Sequence, residues 1–200
     1  RAAGGRQTCG ILTDGRAACW GSAFQNKLDP VGSARARGIV LLESNATIVN
    51  NNIVGLASYE MIGIDVDGSS NMIINNNIYP FSSGKEGTGI RSSYSNSGLV
   101  NNNIWSFDYD FLLQDGAAEI KNVFALNACA WEGCDPVTAG NISVDPEFID
   151  FDGGDYRLSG GSSCIDAGTN PLQYDDTGLS SFDVEGDRRP EQAGYDIGGD

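Results

Sequence analysis

Hydrophobic and polar positions along this chain repeat on an interval of about 25 residues, far longer than the period of a single strand or helix. A Gly-Ile pair opens each copy, at Gly38-Ile39, Gly63-Ile64 and Gly89-Ile90. A polar stretch follows, then Ile48, Ile73 or Leu99, and then three asparagines and an isoleucine, ending at Ile53, Ile78 and Ile104. The copies read GIVLLESNATIVNNNIV, GIDVDGSSNMIINNNIY and GIRSSYSNSGLVNNNIW. A degenerate fourth, DFLLQDGAAEIKNVF, places Ile120 and Asn122 at the spacing that Ile48 has to Asn50.

The apolar spacing is not that of an amphipathic helix. Short β-prone runs separated by Gly, Asn and Ser predict strands of three to five residues. One such copy cannot bury an apolar face alone, but copies stacked in register can, with like residues forming internal columns. Ile39, Ile64 and Ile90 form one expected column, and Ile53, Ile78, Ile104 and Val123 another. Asparagine tolerates the left-handed conformation of a sharp corner, and amides stacked one copy apart hydrogen-bond as a ladder. The expected ladder is Asn50, Asn75, Asn101 and Asn122, because Asn122 keeps that slot in the weakest copy.

This I-x-N-N-x-I pattern with a preceding G-I resembles the repeat of right-handed parallel β-helix proteins, the pectate-lyase-like superfamily. The resemblance implies an all-β solenoid of about four coils over residues 36–130. Two flanks complete the chain. Residues 131–200 contain Asp145-Pro146, Phe148, Gly154-Asp155-Tyr156, Ile165-Asp166-Ala167-Gly168, Arg189-Pro190 and Asp196-Ile197-Gly198. That order is similar to the closing segment of bacterial secreted β-helix proteins of the choice-of-anchor type. It is expected to cap the open end of the stack, where unpaired strand edge is an aggregation hazard. In residues 1–35, Cys9, Leu12, Asp14-Gly15, Cys19 and Trp20-Gly21 resemble a single RCC1-like propeller repeat. One repeat closes no propeller. This hairpin is expected either as the remnant of an upstream domain or as a lid on the first coil.

Charge narrows the partners. Twelve basic residues against 27 acidic ones give a net charge of −15, which repels phosphate backbones and anionic membranes. No apolar run reaches the roughly 20 residues of a membrane span. The N-terminus lacks a signal-peptide core, so the chain reads as a mature or truncated piece. Five cysteines in two close pairs, Cys9 with Cys19 and Cys129 with Cys134, leave Cys164 over and favour an oxidising compartment.

With no histidine, the Ser-His-Asp and Cys-His arrangements are excluded. What remains is carboxylate and cation chemistry. Asp65 and Arg91 each follow the Gly-Ile pair directly and should be neighbours, with Asp67 on the same face as Asp65. The superfamily resemblance implies lyases in which a basic residue abstracts a sugar proton while Ca²⁺ neutralises the uronate. Asp65, Asp67, Arg91 and Lys85 form the minimal candidate set, and an exposed ion pair is the bland reading of the same residues. Tyr79, Phe81, Trp105 and Tyr109 are candidate sugar platforms. No cofactor is required; Ca²⁺ is the one that the acidic loops Asp150, Asp152, Asp155 and Asp183, Glu185, Asp187 could hold. The expectation is a structural or adhesive module of a bacterial secreted or cell-surface protein, with a glycan face. The alternative is a Ca-dependent polysaccharide lyase or hydrolase acting on acidic polysaccharide.

Overall fold

The computed structural model describes residues 7–11, 17–23, 35–55, 60–68, 71–80, 87–95, 97–105, 107–114, 124–126, 129–130, 145–190 and 193–199. These residues are all-β apart from two short 3-10 turns, Pro171–Gln173 and Leu179–Ser181. An N-terminal hairpin, β1 (Gln7–Ile11) and β2 (Ala17–Ala23), precedes four repeats. The first repeat holds β3 (Arg35–Leu42) and β4 (Thr47–Gly55). The second holds β5 (Glu60–Asp67), β6 (Met72–Ile74) and β7 (Asn77–Pro80). The third holds β8 (Gly87–Ser93), β9 (Gly98–Val100) and β10 (Asn103–Ile104). The fourth holds β11 (Tyr109–Gln114), β12 (Phe124–Leu126) and β13 (Cys129–Ala130). A separate antiparallel pair, β14 (Phe148–Asp150) and β15 (Asp155–Leu158), opens the tail.

Every strand of one repeat pairs in parallel with its counterpart in the next, giving three ladders. The first is β3-β5-β8-β11. The second runs from the front half of β4 through β6 and β9 to β12, and the third from the back half of β4 through β7 and β10 to β13. The expected columns are present: Ile39 faces Ile64, which faces Ile90, and Ile53 faces Ile78, which faces Ile104. Ile48, Ile73 and Leu99 form a third. All three converge on one core, and each fully buried aliphatic side chain contributes about 1.5–3 kcal/mol by leaving water. Close packing also explains the repeated glycine. A Cβ on Gly38, Gly63 or Gly89 would meet the γ2 methyl of Ile53, Ile78 or Ile104 at 2.9, 2.4 and 2.2 Å, distances no side chain tolerates.

The three consecutive asparagines have three different tasks. The first, Asn50, Asn75 and Asn101, turns the corner with φ of 55, 53 and 52°, a region where asparagine costs less than most residues. The second faces inward and forms the amide chain. Asn51 Nδ2 donates to Asn76 Oδ1, and Asn76 Nδ2 to Asn102 Oδ1, both at 2.9 Å. The same oxygens accept the backbone N–H of Asn51 and Asn76 at 3.0 and 3.1 Å. Spare amide protons reach the backbone oxygens of Ile48, Ile73 and Ile74. At the third position Asn77 Nδ2 donates back to Asn52 Oδ1 at 2.8 Å. The ladder therefore lies one residue later than expected at Asn50, Asn75 and Asn101. Corner geometry turns those three side chains outward, while the next residue points at the backbone groups that the corner leaves unpaired.

The fourth repeat departs from its expected register. Ile90 faces Phe111, five residues sooner than a 26-residue interval would place it, because the connection after β10 is short. The connection between β11 and β12 is longer by the same five residues, so Leu99 faces Ala125 and Ile104 faces Ala130. The second column thus continues to Ala130, not Val123. Counted on by the same 26 residues, Asn101 and Asn102 lead to Asn127 and Ala128 in the sequence. Ile120, Asn122 and Val123 themselves lie outside the described residues.

Both flanks are placed by pairing. Strand β2 runs parallel to β4, with Ala18 facing Thr47 and Ala23 facing Ile53, so the hairpin lies on the first repeat as a lid. Cys9 stands opposite Cys19 across the hairpin. The described part of the tail, residues 145–190 and 193–199, lies along the side of the stack. Asn50 Nδ2 donates to the Leu179 and Phe182 carbonyls, and Asn101 exchanges two hydrogen bonds with the Thr169 backbone. Gly198 N donates to the Asn101 carbonyl and Gly199 N to Asn77 Oδ1. Tyr174 and Leu179 cover Val49, Ile74 and Val100, the outward column of the second ladder. An outward apolar column and outward corner amides both need cover, and the side of the stack is where they are. Cys164, buried with Leu158 and Ile197, is disulfide-bonded. Five cysteines then cannot form both expected pairs with Cys164 left over.

Two stability measurements follow from this packing. By urea unfolding, Asn76→Ala is expected to cost about 3 kcal/mol, since it strips several buried hydrogen bonds. Asn75→Gly, at a corner whose side-chain amide has no partner, should cost less than about 1 kcal/mol. Gly63→Ala should cost at least about 2 kcal/mol through overpacking. Gly160→Ala, with nothing within 4 Å of the new methyl, should change little.

Candidate functional site

The tail contacts just described fall on the second and third ladders. The outer face of the first ladder carries the predicted chemistry. Val40 faces Asp65 and Asp65 faces Arg91 in successive strands, as their equivalent places after Gly-Ile predict. Arg91 grips Asp65 with two parallel bonds, Nε to Oδ1 at 2.7 Å and Nη2 to Oδ2 at 2.6 Å. From the first repeat Arg37 adds its Nε at 3.1 Å from Oδ2. Asp65 is thus enclosed between two guanidinium groups, its side chain 4% exposed against 19% for Arg91 and 40% for Arg37. Arg37 escaped the sequence reading because it lies three residues before the slot equivalent to Asp65, and only side-chain reach brings it there.

A two-pronged arginine–carboxylate contact is among the stronger ion pairs and fixes both partners. A guanidinium is cationic at any ordinary pH, with no lone pair to take a sugar proton. Asp67 is exposed, facing Ser93 in the next strand. Lys85 lies outside the described residues. Asp65, Asp67 and Arg91 therefore do share one face, with Asp65 and Arg91 committed to each other.

The predicted sugar platforms separate. Tyr79 is buried beneath the tail, with ring centroids 5.7, 5.2 and 4.4 Å from Phe148, Phe151 and Tyr156. Trp105 meets Phe151 edge-on at 4.6 Å. These rings anchor the β14–β15 hairpin on the third ladder, where edge-to-face pairs add to apolar burial. Burial raises the Tyr79 hydroxyl well above its usual pKa, with Tyr156 adding to the shift. Phe81 lies outside the described residues. Tyr109, at the start of β11, is 58% exposed on the first ladder, and Tyr94, which the sequence reading passed over, is 64% exposed at the corner after β8. Tyr94 takes the left-handed slot that Glu43 and Gly68 hold in the preceding repeats, so nothing in its local sequence marks it.

The acidic loops turn inward on themselves. Asp150 Oδ1 accepts the Gly153 N–H at 3.0 Å. Asp183 Oδ1 accepts the N–H groups of Gly186 and Asp187 at 2.6 and 2.8 Å. Asp155 is held by Arg157, whose hydrogen bonds keep its carboxyl below the usual pKa. Asp152, Glu185 and Asp187 are exposed. Among the described residues no three His, Cys, Asp or Glu side chains converge on a point where a metal ion would sit. Each loop is a turn stabilised by its own aspartate.

One buried carboxyl escaped the sequence reading. Asp110 has no solvent exposure, and neither of its oxygens completes a hydrogen bond of good geometry, the Phe107 backbone approaching it only weakly. Burial pushes its pKa from 3.8 up to about 8, opposed in part by the Phe107 backbone.

No family model, curated protein or solved structure matches the chain. Among the described residues no helix is long and apolar enough to cross a membrane. Because the loop carboxylates cap turns, melting temperatures in EDTA and in excess Ca²⁺ should coincide. A rise with Ca²⁺ would show that the acidic loops hold the ion.

Proposed function

We propose that the chain is a right-handed parallel β-helix of the pectate-lyase-like kind, serving as a structural or adhesive module of a bacterial secreted or cell-surface protein. The outer face of the first ladder is its glycan-contacting surface. The observation that carries this reading is the division of labour among the three ladders. The tail covers aromatic and apolar columns on two of them. The first presents Tyr94, Tyr109, Val40 and Leu42 to solvent beside the half-exposed Arg37. Exposed tyrosines with a guanidinium nearby are the groups that stack on sugar rings and bond their hydroxyls. The disulfide at Cys164 supports an oxidising compartment. The net charge of −15 disfavours nucleic acid.

The Asp65–Arg91 lock argues for binding over bond cleavage, because the lyase reading needs one of those groups free to act as base. The protein should be incubated with polygalacturonate, alginate and a panel of neutral polysaccharides in the presence of Ca²⁺. No unsaturated product and no new reducing ends are expected. Retention on at least one immobilised glycan is expected, weakened tenfold or more in a Tyr94→Ala/Tyr109→Ala variant of unchanged melting temperature. Unsaturated product that disappears in Arg91→Ala would replace this reading with the lyase. Retention on no glycan would remove the binding face.

A further inference from the structure

In the first three repeats one slot of the first ladder is always glycine, because its Cβ would strike the isoleucine fifteen residues on. In the fourth repeat both members of this pair change together. Tyr109 faces Thr88 and Phe111 faces Ile90, so Asp110 stands in the slot of Gly89. Ala130 stands in the slot of Ile104. By register, then, the repeat that replaces the glycine with a side chain also replaces the isoleucine with alanine, and the side chain supplied is a carboxyl. It has no solvent exposure and, apart from a weak approach by the Phe107 backbone, no hydrogen-bond partner on either oxygen. A carboxylate so placed is costly to ionise, whereas the neutral acid is tolerated.

The geometry points to Asp110 as an acid lock on the fourth repeat: the strand β11 is held firmly against β8 while this carboxyl keeps its proton, and loosens as the surroundings become less acidic. Neighbouring charges on the described residues do not relieve it. On β8, Arg91 is bound to Asp65. In the turn before β11, Asp108 accepts the Gly87 N–H at 3.0 Å. Tyr109 is mostly exposed, and neither β10 nor β13 carries an Asp, Glu, Lys or Arg. The direction follows from proton linkage. An open fourth repeat exposes Asp110 to water and returns it to an ordinary pKa near 3.8, whereas the docked form holds its proton to about 8. Between those values the open state binds fewer protons, so docking weakens steadily as pH rises and levels off above the upper one.

The test is native-state amide hydrogen exchange from pH 4 to 8, with rates corrected for intrinsic chemistry. Protection of β11 amides should fall about tenfold per pH unit in the wild-type protein and stay level in Asp110→Asn. Asp196, whose carboxyl burial also raises, lies in the tail and is the same in both proteins, so the difference isolates Asp110. A level wild-type profile, or an equal slope in the variant, overturns the proposal. Should Asp110→Asn not fold, carbon-13 titration of the wild-type Asp110 carboxyl decides. A midpoint near 8 supports the lock, and one in the ordinary carboxylate range overturns it. The glycan reading is not involved in either outcome.

Discussion

The backbone at a sharp corner must give up hydrogen bonds that neighbouring strands would otherwise supply, and the interior of a stack offers no water to replace them. The Asn51–Asn76–Asn102 chain is the answer to that constraint. Asn76, in the middle, accepts the Asn51 backbone N–H from the repeat before it and donates to the Ile48 and Ile74 oxygens and to the Asn102 amide. A second, smaller chain does the same at the preceding corner. There Ala46 N donates to Asn71 Oδ1, and Asn71 N to Ser97 Oγ. With those groups satisfied, the isoleucine columns can lie like over like, and the glycine beside each keeps the packing tight.

From that arrangement the tail's position follows. Corners that put one asparagine inward put its predecessor outward, so Asn50 and Asn101 stand on the surface as donors and acceptors in search of partners. The Leu179, Phe182 and Thr169 backbone supplies them. Apolar residues alternate to the outside on the same strands, and Tyr174, Leu179 and the Phe148–Phe151–Tyr156 cluster cover them. The tail is thereby a lateral clasp across the first three repeats. The ladder it leaves open bears the Arg37–Asp65–Arg91 group and the exposed tyrosines.

Much of this was legible in the residues. Period, strand class, the isoleucine columns and the Asp65–Arg91 adjacency all follow from repetition, because identical spacing forces identical placement. What repetition could not reveal lies where the copies differ or where distant segments meet. Choosing Asn50, Asn75 and Asn101 for the ladder failed by one residue, since three like side chains in a row do not show which faces inward. The fourth repeat was misplaced because a short connection and a long one cancel, which a rigid period cannot anticipate. Tyr79 and Trp105 read as sugar platforms because no local signal shows that Phe151, far along the chain from both, lies over them. Arg37 and Asp110 gain their roles only from neighbours across the stack.

The inward amide chain is best tested by hydrogen exchange of the asparagine side chains themselves, read by nitrogen-15 NMR. If buried amides bridge successive repeats, the Nδ2 protons of Asn51, Asn76 and Asn102 exchange orders of magnitude more slowly than those of exposed Gln173. Exchange of all three at the rate of Gln173 would mean that the amides face solvent, and the account of the stack would fail.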